Sequence, residues 1–342
     1  MLIIKPLRLF IFLIIISFFL ASCNNTNSGV MASNGKDSVS KKDSQSKPLP
    51  LDTIDFKKKM KAMSNGDTTH RWPPPMPYPL PGAVLPFKRI VAFYGNLYSK
   101  RMGILGEIPK DSMLKKLTQT MKLWQAADTS IPVIPALHYI AVSAQGSPGK
   151  DGMHRMRMPF HQIDTIVQWA KEFNALVFLD IQIGSSSVKA EVPMLEKYLL
   201  MPGVHFGIDP EFSMKHGEAP GKKIGTFSAD DVNDAIDYLA QLVKKNNLPP
   251  KILIVHRFTQ GMITNYQRIK KVPEVQVVMD MDGWGDKILK RSTYLRYIYG
   301  EPVEFTGFKL FYKNDIRKDK DGLYRPDELM KFIPKPVYIQ YQ

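Results

Sequence analysis

Residues 204–212, VHFGIDPEF, form an apolar run of strand-forming residues that ends in two carboxylates, Asp209 and Glu211. Residues 175–184, ALVFLDIQIG, repeat the pattern, with Asp180 and Gln182 at alternate positions near the end of the run. An unpaired carboxylate is costly to bury because it loses its hydration. Both stretches therefore predict buried strands whose C-terminal ends reach one shared polar site.

Apolar runs of this kind alternate with helix-like segments over residues 89–342. The other predicted strands are 89–95, 133–141, 251–258, 275–283, 307–312 and 336–342. The predicted helices are 111–127, 161–173, 192–200, 228–245, a short one near 262–271, 286–298 and 326–332. Eight strands alternating with helices over this length predict an α/β fold of the (β/α)8, TIM-type barrel class. An open doubly wound sheet is the alternative, but no glycine-rich phosphate loop follows the first strand. The sequence stops on the eighth strand, so we expect the last helix of the barrel to be missing.

The N-terminus carries the features of an export signal. Lys5 and Arg8 precede an apolar run, and residues 20–23, LASC, end it. The run is short for a membrane span but suits the core of a signal peptide. Its ending resembles a bacterial lipobox, which implies lipidation at Cys23. Cys23 is the only cysteine, so the chain cannot form an internal disulfide.

The domain boundaries follow from composition. We predict a lipoprotein signal peptide at 1–23, a flexible and Pro-rich linker at 24–86 with one short helix at 51–63, and a barrel domain at 87–342. Residues 24–46 are polar and nearly free of apolar side chains, and 71–82, RWPPPMPYPLPG, favours an extended spacer. The expected location is the exported side of a cell or outer membrane, held by the lipid.

The formal net charge of +15 favours anionic surfaces such as phospholipid headgroups or anionic polysaccharides. The basic residues are scattered over predicted helix faces, which is typical of a solvated surface. Export also argues against a nucleic-acid partner. The oligomeric state is not predicted by any feature of the sequence.

Strand alternation selects the candidate site residues, because alternate residues of a barrel strand point inward and active sites lie at the C-terminal strand ends. The predicted catalytic residues are Glu211, Asp209, Asp180 and Asp282. The predicted substrate-binding residues are Tyr94, His138, Gln182, His256, Asp280, Lys309, Tyr312 and Gln340.

Neighbouring carboxyl groups suit glycoside hydrolysis, which needs one protonated and one ionised acid. The chain resembles chitinase-type barrels in Asp209-Pro210-Glu211 at the end of strand four and in Met279-Asp280-Met281-Asp282 on strand six. This resemblance implies that Glu211 is the general acid, that Asp209 orients the substrate's amide and that Asp282 supports both. Gly207 stands where that family has a further Asp.

The chain also resembles a group of uncharacterised bacterial secreted or lipid-anchored proteins that carry FYG, DPE and GFKLFY-like segments, here at 93–95, 209–211 and 307–312. No activity is implied by this second resemblance. It agrees with a lipid-anchored barrel that acts on, or binds, a glycan or another small polar ligand.

Two other functions remain open. A metal-dependent hydrolase of the phosphodiesterase type would draw its ligands from His138, Asp180, Asp209, Glu211, His256 and Asp282, with Lys309, Arg257 or Arg101 on a phosphate. A divalent metal is a cofactor only in this alternative. A non-catalytic glycan-binding lipoprotein would use the same pocket, with Trp284, Tyr94, Tyr139 and Tyr312 stacking on sugar rings.

Overall fold

The computed structural model describes residues 49–317 and 321–342. The predicted signal peptide, Cys23 and residues 24–48 of the predicted linker lie outside these ranges. Within them, no helix has the length and apolar character that crossing a bilayer requires.

Eight parallel strands form a closed barrel, which confirms the predicted fold class. The strands are β1 Arg89–Gly95, β2 Val133–Ala144, β3 Leu176–Ile181, β4 Val204–Ile208, β5 Lys251–Arg257, β6 Val275–Met281, β7 Phe305–Leu310 and β8 Tyr338–Tyr341. Each strand pairs with the next, and β1 pairs with both β2 and β8. The double pairing of β1 closes the sheet.

Helices cover the outside of this barrel and its N-terminal end. They are α1 Thr53–Met63, α2 Ile104–Glu107, α3 Lys110–Ala127, α4 Phe160–Phe173, α5 Val188–Glu191, α6 Glu196–Leu199, α7 Ala229–Asn246, α8 Lys287–Thr293 and α9 Pro326–Leu329. Short strands at Arg155–Arg157, Phe227–Ser228 and Ile263–Thr264 lie in connecting loops. Ser228 caps α7 reciprocally with Asp231.

Three segments predicted as regular α-helices are interrupted, shifted or widened in the structure. The segment near 262–271 forms two 3₁₀ turns and a short strand, because Asn265 adopts a left-handed conformation that interrupts a helix. The helix at 192–200 begins earlier, at Val188, and is broken by a 3₁₀ turn that contains Pro193. The helix at 286–298 widens into a π-helix at Tyr294–Tyr299.

Two apolar cores lie on opposite sides of the sheet. Outward-facing side chains such as Phe93, Leu179 and Val255 pack against the helices. Inward-facing side chains such as Ile90, Phe178 and Ile254 fill the lower half of the barrel. The upper half of the interior is polar, so the apolar layer forms the floor beneath the candidate site.

Helix α1 and the arm that follows it, residues 64–88, pack on the N-terminal end of the barrel. Phe56, Met60 and Trp72 belong to the same core as the barrel interior. The Trp72 indole donates to the Tyr299 carbonyl at 3.1 Å, and the Gln276 amide oxygen accepts from the backbone of Leu85 at 3.2 Å. The predicted helix at 51–63 is confirmed, and this part of the predicted linker closes the bottom of the barrel.

Candidate functional site

The upper layer of the barrel interior collects polar side chains from all eight strands or from the residue that follows a strand. Ten of the twelve predicted site residues meet in this layer as buried side chains; these are Tyr94, His138, Asp180, Gln182, Asp209, His256, Asp280, Asp282, Lys309 and Gln340. Glu211 is partly exposed at its edge. Only Tyr312 lies elsewhere.

Local backbone geometry places Asp209 and Glu211. Strand β4 ends at Ile208, and Pro210–Phe212 forms a 3₁₀ turn. Pro210 has no N–H for a sheet ladder, so it ends the strand that the sequence predicted to continue to 212. The Asp209 carboxylate accepts from the Glu211 N–H at 3.0 Å and caps this turn.

Two glycines leave space for the buried acids. A Cβ on Gly207 of β4 would lie 2.5 Å from Asp180 Oδ1 and 2.8 Å from His138 Nε2. A Cβ on Gly307 of β7 would lie 2.4 Å from Asp280 Oδ1. Real Cβ atoms do not approach other atoms so closely, so the carboxylates occupy the space that side chains at these positions would need. This also explains why strand four has no further Asp at Gly207.

A pocket of about 740 Å³ opens above the polar layer. Of the predicted residues, Tyr94, Gln182, Asp209, Glu211, Asp282 and Lys309 line it. His138, Asp180, His256, Asp280 and Gln340 lie beneath these residues and are fully buried. The site therefore has two levels, a wall that a ligand can touch and a buried layer that supports it.

Lys309 is the cation of the pocket wall. Its ammonium lies 2.9 Å from Asp282 Oδ1 and 3.9 Å from the centre of the Tyr94 ring. Burial alone would lower the pKa of Lys309, but the charge of Asp282 dominates among the groups that raise it, and the net pKa is above the usual lysine range. Lys309 is therefore a fixed positive charge beside the carboxylates.

The two acids that follow β4 bind their protons more tightly than free carboxyl groups do. Burial, followed by the charge of Asp282, raises the pKa of Glu211 to about 7. Burial and the neighbouring Glu211 carboxyl raise the pKa of Asp209 well above its usual range. Gln182 lies 3.4 Å from Asp209 Oδ2 and joins it to Tyr94.

Beneath the wall, His138, Asp180 and His256 come together. Asp180 Oδ1 lies 3.6 Å from Nε2 of each histidine. Burial lowers the pKa of His138 to about 4. Burial also opposes the protonation of His256, but Asp282 and Asp180 raise its pKa well above the usual value. The charge of His256 in turn lowers the pKa of Asp180, against the effect of burial.

The remaining sequence candidates divide between the rim and the outside of the barrel. Trp284 and Arg101 line the pocket as exposed side chains. Tyr312 stacks on Tyr341 outside the barrel at a ring distance of 5.3 Å, under the ammonium of Lys116.

Tyr139 and Arg257 also point away from the pocket. The Tyr139 hydroxyl donates to Gln162 at 2.6 Å, and the Arg257 guanidinium pairs with Glu301 at 2.6 Å. Alternation along β2 and β5 puts them on the outward face, opposite His138 and His256. This assignment by alternation was available from the sequence.

Several pocket residues were not predicted. Phe258, Phe311, Lys290 and Asn314 line the pocket, and Tyr338 lies in the buried layer next to His138. Tyr338 lies two positions before Gln340 on β8, so alternation along that strand was a usable signal. Phe258, Phe311 and Asn314 follow strand ends in loops, where alternation no longer applies.

Comparisons with known proteins add a likeness of fold. No protein-family model matches the chain, and no curated protein matches its sequence. One solved structure that matches is a GH5-4 broad-specificity endoglucanase from Clostridium longisporum, at 11% identity and a TM-score of 0.36. The match covers 66% of this chain and 75% of the endoglucanase. A likeness at this level concerns the fold alone.

Proposed function

We propose that this chain is a glycoside-hydrolase-like enzyme in which Glu211 is the general acid at a barrel-mouth pocket. The observation that carries the proposal is the position of Glu211. Its carboxyl group lies on the pocket wall, partly open to a ligand, and its pKa is raised to about 7 by burial and by Asp282. A carboxylic acid with a pKa near neutral pH keeps a protonated fraction there and can donate that proton to a glycosidic oxygen.

Asp282 would complete the acid pair that glycoside hydrolysis needs, and Asp209 would support it. Lys309 holds Asp282 in an ion pair at 2.9 Å, so Asp282 is the candidate for the ionised partner that stabilises positive charge on the sugar. Asp209 lies buried next to Glu211, with its carboxyl fixed by the turn. In a substrate with an acetamido group, Asp209 would orient the amide.

The pocket wall suits a sugar. The exposed Trp284 indole and the Phe258 and Phe311 rings line the pocket together with the carboxyl, amide and ammonium groups of its wall. Aromatic faces with a few fixed polar groups are the usual lining of small-ligand sites. We further propose that the protein is exported and anchored to a membrane by a lipid on Cys23, so that its substrate is a glycan of the cell envelope or the surroundings.

The test uses the chain from residue 24 onward with Cys23 absent. We would incubate it with fragments of peptidoglycan, chitin-type and neutral polysaccharides and separate the products. Glu211→Gln should reduce cleavage at least 100-fold, within the range of general acid catalysis. Glu218→Gln, which changes a partly exposed glutamate paired with Lys223, is the matched control and should cleave normally.

Equal cleavage by Glu211→Gln would contradict the assignment of the acid. Binding of a fragment without cleavage, with equal affinity in wild type and Glu211→Gln, would identify a glycan-binding protein instead. The metal-dependent phosphodiesterase considered from the sequence needs an ion that a substrate can reach. Among the described residues, the His138, Asp180 and His256 cluster lies below the pocket lining and does not meet this condition.

A further inference from the structure

We propose that His138, Asp180 and His256 bind one divalent first-row transition metal ion, with Zn²⁺ as the best match to their donors, in the buried layer beneath the pocket. The inference is independent of the proposed glycosidase activity. It assigns the ion a positioning role, because the three side chains are completely buried and do not belong to the pocket wall.

Three donor atoms converge without hydrogen bonds. His138 Nε2, Asp180 Oδ1 and His256 Nε2 lie within 4.8 Å of one another. Each is buried, and in the described part of the chain each lacks a hydrogen-bond partner. Buried polar atoms are almost always paired, so three unpaired atoms aimed at one place require an explanation.

The two separations that involve Asp180 fit metal coordination better than hydrogen bonding. Asp180 Oδ1 is 3.6 Å from both Nε2 atoms, which is beyond the range of an N–H to oxygen hydrogen bond. Zn²⁺ binds imidazole nitrogen and carboxylate oxygen at about 2.0–2.2 Å, and tetrahedral geometry then separates neighbouring ligand atoms by roughly 3.3–3.5 Å.

Two of the candidate ligands have their second atom hydrogen-bonded to another residue. Tyr338 OH lies 2.6 Å from His138 Nδ1, and Tyr94 OH donates to Asp180 Oδ2 at 2.9 Å. His256 Nδ1 lies 3.2 Å from Asp280 Oδ2 and 3.3 Å from Asp282 Oδ2 as an ion-pair contact, without a hydrogen bond in the described part of the chain. Outer partners of this kind fix the imidazole tautomer and the ring orientation of metal ligands. Metal binding requires a free lone pair on the Nε2 of each histidine, so the ion would replace any proton carried on these atoms.

The local charge also favours a cation. Asp180, Asp280 and Asp282 surround His256, and Asp282 is shared with Lys309. Lys290 lines the same pocket but pairs with Asp315 at 2.9 Å. A divalent ion between Asp180 and the histidines would offset the charge of several carboxylates that are removed from water. The ion would also fix the position of Asp180, which accepts a hydrogen bond from Tyr94 in the pocket wall.

The test measures metal content rather than activity. The chain from residue 24 onward is equilibrated with Zn²⁺, dialysed, and analysed by elemental mass spectrometry, and its Co²⁺ form is examined by visible absorption. We expect about one Zn²⁺ per chain and a Co²⁺ spectrum typical of nitrogen and oxygen ligands. His138→Gln and His256→Gln should each abolish both signals.

His205→Gln is the matched control. His205 is buried in the same barrel, but its Nδ1 accepts from the Ile252 N–H at 3.1 Å, and it is not part of the cluster. Tyr338→Phe removes one outer hydroxyl and should weaken Zn²⁺ binding by about 10- to 100-fold. Circular dichroism establishes that each variant is folded.

A wild-type chain that retains no Zn²⁺ and gives no Co²⁺ spectrum would overturn the proposal, whether or not the variants fold. Equal metal content in His205→Gln and His256→Gln would do the same. Glu211→Gln should bind Zn²⁺ like the wild type, so a failure of the metal site and a failure of the glycosidase assignment can be told apart.

Discussion

Gly207 of β4 lies directly against Asp180 of β3, at a distance where a Cβ on the glycine would be 2.5 Å from Asp180 Oδ1. The two residues are also paired in the parallel register of these strands. The carboxylate therefore occupies the volume of a missing side chain. The position of the central acid of the site depends on the absence of any side chain on its neighbour.

Gly207→Ala should destabilise the protein. The added methyl group must displace Asp180 or His138, both of which are completely buried, and overpacking of this kind costs about 1–3 kcal/mol. Urea denaturation measures the effect as a loss in the free energy of unfolding. Gly203→Ala is the control, since its Cβ would meet only Leu176 at an ordinary 3.9 Å. Equal stability of the two variants would show that the space between Gly207 and Asp180 can accept a methyl group.

Lys309→Met should lower the free energy of unfolding by about 3–5 kcal/mol at neutral pH, because it leaves the buried Asp282 carboxylate without its cation. Thermal and urea unfolding both report this change. Lys313→Met, which removes an exposed lysine paired with Glu107, should cost less than about 1 kcal/mol. The double variant Lys309→Met/Asp282→Asn should recover part of the loss. No recovery would mean that Lys309 acts through packing rather than charge.

The ionisation of Glu211 should make stability depend on pH. Its pKa in the folded protein is about 7, above the ordinary glutamate value of 4.5, so the folded state binds this proton more tightly than the unfolded state. The contribution is fully present below pH 4.5 and is lost as the pH rises to about 7 and above. The stability of wild type relative to Glu211→Gln should therefore fall between pH 4.5 and 7.

Glu218→Gln provides the contrast for this pH series. The hydrogen bond from Lys223 lowers the pKa of Glu218, so its titration lies below the window that Glu211 controls. The stability of wild type relative to this variant should stay flat between pH 4.5 and 7. A flat profile for both variants would show that Glu211 ionises normally in the folded protein.

Trp72→Ala should destabilise the barrel, although Trp72 does not line the pocket. Trp72 is 3% exposed, packs in the core that fills the barrel interior and donates to the Tyr299 carbonyl. Loss of a buried tryptophan costs about 3–5 kcal/mol, measured by urea denaturation. Trp284→Ala, at a position that is 52% exposed, should leave stability within about 0.5 kcal/mol of the wild type. Equal effects would show that the arm is not part of the folding unit.

Most of the fold was predictable because strand and helix periods are local. The apolar runs located all eight strands, and alternation along those runs is enough to place Asp180 and Asp280 on the inner face. The alternation of inward-facing and outward-facing side chains gave a wrong position only for a residue beyond the end of its strand. Tyr312 follows β7 and was expected at the mouth, but the chain has left the strand there, and its ring stacks outside the barrel. No local pattern specifies where a loop residue will point.

What the sequence determined by itself is the set of polar residues that the strands carry to one end of a barrel, since a period of two assigns each side chain to a face. What only the tertiary structure decided is how that set divides into levels. His138, Asp180 and His256 come from three different strands and converge beneath the pocket, whereas Glu211 and Lys309 reach its wall. The division depends on distances between strands that are far apart in sequence, and on the space left by Gly207 and Gly307. Closure of the barrel fixes both, because only then do side chains from all eight strands compete for one interior volume.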